Sequence, residues 1–275
     1  MMGSVLSFSA IAVAGRNVAH VHDSFEVLTV RSAVGLILVL AYGLASGRLG
    51  EISNANLRGH FFRNSVHFVG QNLWFWALTQ ITLAQLFALE FTSPVWVILL
   101  APMFLGERLT PMRLAAAILG FLGVLIVARP DPAALNLGIA AAAGSAVCFA
   151  AVSILTKRLT RGTSVLGILF WLTLMQLVFG LVCAGYDGHI TWPTAETLPW
   201  LLLIGFCGVF AHLSLTTALS LAPASFVVTI DFLRLPLIAV VGAAAFGEPL
   251  DFAVLLGGAV IFAGVWLNLR SARTA

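Results

Sequence analysis

The sequence predicts an all-α polytopic membrane protein whose ten transmembrane helices form two inverted five-helix repeats. Three observations carry this. Of its 275 residues, 60% are hydrophobic and only 9% charged, and the mean hydropathy is +1.04. Soluble domains carry roughly 25% charged residues, so this chain cannot clothe a water-facing surface. Long apolar runs alternate with short polar breaks, and spans of about 20 residues leave room for about ten helices and no soluble domain. The chain also repeats itself at one constant offset. A β-barrel would show short alternating segments instead.

In order, helices are expected at 2–18, 25–46, 61–79, 83–104, 111–128, 135–156, 164–184, 197–217, 223–245 and 252–270. Polar stretches separate them, among them "HVHDS" at 20–24, "GERLTP" at 106–111, "KRLTRGT" at 157–163 and "GEPLD" at 247–251. The opening "MMGSVLSFSAIAVAG" has the small residues of a signal peptide but no basic n-region. It has a mate in the second half, so it reads as the first membrane helix, begun several residues short of that mate. Cys148, Cys183 and Cys207 lie inside apolar runs without metal-ligand spacing and read as packing residues.

An offset of 141 residues pairs Gly3, Ser4 and Phe8 with Gly144, Ser145 and Phe149. It also pairs Arg16 with Lys157, Glu90-Phe91 with Asp231-Phe232, Glu107 with Glu248, Gly123 with Gly264 and Arg129 with Arg270. Apolar coincidences are cheap in such a composition, but one offset that aligns rare charges is not. The halves are residues 1–130 and 131–275. A second copy that begins after five crossings enters the membrane from the opposite side, which inverts it.

The basic residues agree. With the N-terminus in the cytoplasm, ten lysines and arginines fall inside and only Arg16 and Arg129 outside, while Arg31 and Arg234 lie within spans. Both termini are then cytoplasmic. The preference for Arg over Lys points to a GC-rich bacterial genome, hence an inner membrane.

Ionisable groups in hydrocarbon cost about 2.5–3.5 kcal/mol each, so each needs a reason. Asp231 and Arg234 stand three apart on one helical face. They read either as a self-neutralised pair, or as a site where Asp231 takes a proton or cation and Arg234 a substrate carboxylate or phosphate. Glu90 is the mate of Asp231 at mirrored depth, as alternating access requires. Arg31 is expected to snorkel outward or to pair with an acid of another helix, since Glu26 is five residues away. Gln71 and Asn72 lie deep in the third helix beside Trp74 and Trp76, which could stack on a flat substrate. His67 and His212 read as groups bonded to neighbouring helices or as cavity residues. Pro94 and Pro236 each remove a backbone hydrogen bond in mid-span and are hinge candidates. Glu107 and Glu248 read as structural turns, each acting on a nearby helix N-terminus.

Together, "LEFTSPVWVILLAPMFLGERLTPMRLAAAILGFLGVLIV", its echo "IDFLRLPLIAVVGAAAFGEPLDFAVLLGGAVIFAGVWL", "FEVLTVR" and "RNSVHFVGQNLWFWAL" resemble the EamA family of the drug/metabolite transporter superfamily. The resemblance spans essentially the whole chain. It implies ten helices, an inverted repeat, and transport of small metabolites without ATP hydrolysis. The "FEVLTVR" stretch is similar to a branch that includes S-adenosylmethionine carriers. Arg234 departs from the family, where small or apolar residues are more usual.

The expected function is therefore secondary transport of an amino-acid-like or nucleoside- or vitamin-like amphiphile, by alternating access with proton coupling or exchange. The alternative is an intramembrane enzyme, for which the nearest candidate is the loop cluster His20-Val-His22-Asp23. No cofactor, metal or nucleic acid is called for. The expected partners are the substrate and the lipid bilayer, and a homodimer is left open.

Overall fold

The computed structural model describes residues 1–81, 83–128, 136–186, 188–246 and 252–271. Glu248 lies outside the described residues. The helices are α1 (Met2–Val18), α2 (Ser24–Ala45), α3 (Leu57–Gln80), α4 (Leu83–Glu90), α5 (Thr92–Leu105) and α6 (Pro111–Ala128). There follow α7 (Leu137–Leu159), α8 (Val165–Cys183), α9 (Leu198–Leu221), α10 (Ala224–Thr229), α11 (Arg234–Phe246) and α12 (Phe252–Ser271). Counting α4 with α5 and α10 with α11 as single divided spans, the described residues hold the ten expected spans. Six apolar stretches among them are long enough to cross a bilayer, from Ser24–Ala45 to Phe252–Arg270.

Local chemistry sets the helix starts. Asp23 and Glu26 form a capping box on α2: each side chain accepts the other residue's backbone N–H, at 2.8 and 3.1 Å. Asn136 and Ser164 cap α7 and α8 by accepting the N–H of Ile139 and Gly167. At the other end of α5, Gly106 takes φ of 68°, a conformation open to glycine, and turns the chain out of the helix.

The spans pack across the two halves. α1 lies on α9, α3 on α7, α2 on α8, and α6 on α12. The α6–α12 contact brings backbones together. A methyl group at Gly123 would stand 2.7 Å from the Gly257 carbonyl oxygen, and one at Gly264 2.8 Å from that of Ala116.

One end of the bundle is tied by polar contacts, within the second half at Lys157 and between the halves at Arg161 and Glu107. The Lys157 ammonium donates to the carbonyls of Leu219 and Ala222, the last turn of α9, at 2.6 and 2.8 Å. Arg161 donates to the Leu105 carbonyl. Glu107 accepts from the N–H of Ala224 and Ser225 and from the Ser225 hydroxyl, at 2.6, 3.2 and 2.8 Å. Glu107 thus acts on α10 of the other half rather than on the helix it precedes, because Gly106 turns it across the bundle.

Candidate functional site

The fourth and ninth predicted spans are divided rather than kinked. Pro94 is the third residue of α5 and Pro236 the third of α11. A proline ring clashes with the carbonyl four residues earlier, and its missing N–H is tolerated in a first turn. Each span therefore breaks one turn before its proline. α4 ends at Glu90, while Ile230–Leu233 tighten into a 3₁₀ turn that carries Asp231 and hands over to Arg234.

These two breaks meet. Arg234 Nη2 donates to Glu90 Oε1 at 2.6 Å and to Asp231 Oδ2 at 2.8 Å, so one guanidinium bridges carboxylates from both halves. The Trp74 indole N–H donates to the remaining Glu90 oxygen at 2.6 Å. The rings of Phe8 and Phe91 lie 5.2 and 5.1 Å from the guanidinium carbon, within cation–π reach. Glu90 is buried, whereas Asp231 is half-buried and its Oδ1 has no hydrogen-bond partner.

The triad forms one wall of a central cavity of about 120 Å³, far above the roughly 10–15 Å³ that one water needs. Arg31 of α2, His67 and Gln71 of α3, and His212 of α9 also line it. Phe8, Trp74, Phe75 and Phe149 supply flat apolar surface between them. The His67 and His212 rings stand edge to face, 4.8 Å apart. On α3, the buried residues His60, Arg63, Asn64, His67 and Gln71 follow one another at helical spacing, making a polar stripe that runs into the cavity.

Of the residues singled out from sequence, Glu90, Asp231, Arg234, Gln71, Trp74, His212 and Pro94 converge on this cavity. Asn72 does not. It accepts from Ser24 at 2.6 Å, donates to the Phe68 carbonyl, and lines a separate groove of about 560 Å³ with Phe25, Trp76 and Tyr186. Glu26 is engaged by the α2 cap, by His22 and by the Thr191 N–H. His22 also bonds Thr197 at 3.0 Å, so this member of the histidine loop cluster is held in structural contacts. Arg31 departs from expectation. It neither snorkels to the surface nor meets an acid among the described residues, because the acids nearest in sequence and in the cavity are already engaged.

Sequence reasoning missed Ser153, and it missed Ser93, Ile11 and Val152 although the offset of 141 held the signal for these three. It pairs Phe8 with Phe149, Ile11 with Val152, Gln71 with His212, Trp74 with Leu215, Glu90 with Asp231, and Ser93 with Arg234. All twelve line the cavity.

A bundle of helical spans, with a polar and aromatic cavity where two divided helices meet, defines a multi-pass membrane carrier of small molecules. Both halves, residues 1–129 and 136–270, match the EamA-like transporter family, and the chain belongs to it. A riboflavin transporter of Vibrio cholerae serotype O1 is 30% identical over 259 residues, covering 91% of this chain and 86% of its own. A riboflavin transporter of Rhizobium johnstonii is 33% identical over 212 residues, 77% of this chain and 70% of its own. An S-adenosylmethionine uptake transporter of Rickettsia felis is 24% identical over 272 residues, 99% and 92% of the two chains. A crystal structure aligns with TM-score 0.83 at 18% identity, covering 99% of this chain and 96% of its own, which shows the fold alone. The protein is a secondary transporter of small metabolites and not an enzyme.

Proposed function

We propose that the protein moves a flat heteroaromatic metabolite of flavin or nucleoside type across a bacterial inner membrane by alternating access. The observation that carries this reading is the central cavity, with aromatic faces for a planar ring and polar groups at both edges. The riboflavin relatives make riboflavin the first candidate.

In this reading residues 1–130 and 131–275 are inverted repeats with both termini cytoplasmic. Three things support it: the mated cavity lining, the reciprocal packing of α1 on α9 and α3 on α7, and the paired close approach at Gly123 and Gly264. The Pro94 and Pro236 breaks serve as hinges, and Glu90 or Asp231 takes the coupling proton. The Glu107 contacts hold one end closed while the other opens.

The test is flavin binding and uptake. Purified protein should quench riboflavin fluorescence saturably, and its expression should let a riboflavin-requiring bacterium grow on low external riboflavin. Trp74→Ala should abolish both. Absence of saturable quenching and of uptake would overturn the substrate, and S-adenosylmethionine tested in parallel would show whether a cationic nucleoside takes its place. Full flux and unaltered pH dependence in Glu90→Gln/Asp231→Asn would sink the proton role.

A further inference from the structure

We propose that Arg31 is the centre of an anion subsite on the inner wall of the central cavity, receiving one negative charge. That charge comes either from a free halide or from a carboxylate or phosphate borne by the substrate. In the second case the inference rests on the transport reading above, with a substrate other than riboflavin, which bears neither group.

Arg31 lies in its eighth position along α2, within the membrane-spanning stretch Ser24–Ala45. A cation there costs about 2.5–3.5 kcal/mol unless something compensates it. Among the described residues, Arg31 has neither a hydrogen-bond partner nor an ion pair. The carboxylates that could serve are occupied, Glu26 at the α2 cap and Glu90 with Asp231 on Arg234. Arg63 is close enough to repel Arg31, and its own bonds go to Thr156 Oγ1 and Asn64 Oδ1, both neutral. Among the described residues Arg31 and Arg63 thus have no carboxylate partner, whereas Arg234 has two.

The surroundings are built to hold such a charge. Gly208 of α9 opens the gap through which the guanidinium passes: a methyl group there would lie 2.5 Å from Arg31 Nε. Beyond that gap, a second cavity of about 20 Å³ adjoins the first, room for one small ion or water. His212, 3% exposed, has both ring nitrogens without partners, and His67 Nδ1 is likewise unpartnered, so N–H donors stand beside Arg31.

The subsite also falls where the two halves differ in chemistry. The offset of 141 pairs Ser32 with Thr173 and Gln71 with His212, polar with polar. It pairs Arg31 with Leu172 and His67 with Gly208, and there only the first half is polar. The cationic wall is therefore a property of one half, and the offset does not reproduce it in the other.

The experiment is thermal unfolding of the purified full chain at constant ionic strength, with gluconate replaced by chloride, bromide or benzoate. A saturable rise in Tm is expected with at least one of these. The half-saturating concentration should rise at least tenfold in Arg31→Gln and in Gly208→Ala, and less in Arg31→Lys, which keeps the charge. A response to chloride and bromide identifies a free halide, and a response to benzoate alone identifies a substrate-borne oxyanion. No saturable response in the wild type, or an undiminished response in Arg31→Gln, would overturn the proposal in favour of bridging water. Should Arg31→Gln fail to fold, the wild-type titration and Gly208→Ala decide. Riboflavin quenching on the same samples separates the two readings: an anion response without flavin binding sinks only the substrate, and the converse sinks only the subsite.

Discussion

Arg234 and Arg31 line one cavity and solve the same problem differently. Arg234 is neutralised twice over, by Glu90 at 2.6 Å and Asp231 at 2.8 Å, and its guanidinium is flanked by phenylalanine rings. Arg31 has no carboxylate among the described residues and opens into free volume. Removing one member of a buried pair strands its partner's charge, whereas removing an unpaired charge strands nothing. A buried cation is thus structural when its counter-charge is in the chain, and available to a ligand when it is not.

The largest expected effect follows from that difference. Arg234→Leu leaves Glu90 and Asp231 facing each other and should cost about 3–5 kcal/mol, the usual result of breaking a buried pair. Arg31→Leu should be neutral or stabilising. Denaturant or thermal unfolding in one detergent checks both, and equal destabilisation by the two would erase the distinction.

Next in size is the asymmetry within the triad. Glu90→Gln weakens the bonds from both Arg234 and Trp74, worth about 1.5–3 kcal/mol for bonds to a charged group. Asp231→Asn should cost clearly less, because Asp231 is half-buried and makes one such bond. The same unfolding assay orders them, and a reversed order would mean that Asp231 is the anchor.

Glu107 sharpens the comparison from outside the cavity, as a charge held by backbone donors instead of a counter-ion. Glu107→Ala should cost about 1 kcal/mol, as for a lost helix cap, and should change the transport rate more than substrate affinity. Equal loss in rate and affinity would argue against a role in closing that end.

The smallest effect belongs to the exposed pair Arg48–Glu51, 2.6 Å apart. The bond from Arg48 holds the Glu51 carboxyl below its usual range. Its small contribution is therefore present at neutral pH and lost as pH falls through the depressed value. Solvent screens it, so Glu51→Gln should leave the unfolding midpoint unchanged at neutral pH.

Much of the molecule was legible in the residues alone. Composition demanded helices in lipid, because a hydrocarbon solvent leaves backbone groups no partner outside the chain. The offset that aligned Glu90 with Asp231 showed the repeat, and those two acids, read as a mirrored pair, both line the cavity. Periodicity also placed Asp231 and Arg234 on one face.

Tertiary structure decided which charges meet. The Arg234–Glu90 contact joins residues 144 apart, and the Glu107–Ala224 contact residues 117 apart, distances at which no local pattern constrains a pair. It also split neighbours that the sequence could not separate: successive residues on α3 point about 100° apart, sending Gln71 into the cavity and Asn72 to the outer groove. Arg31 shows the division most clearly. Its position inside a span announced an expense, but only packing revealed that every nearby acid was already engaged.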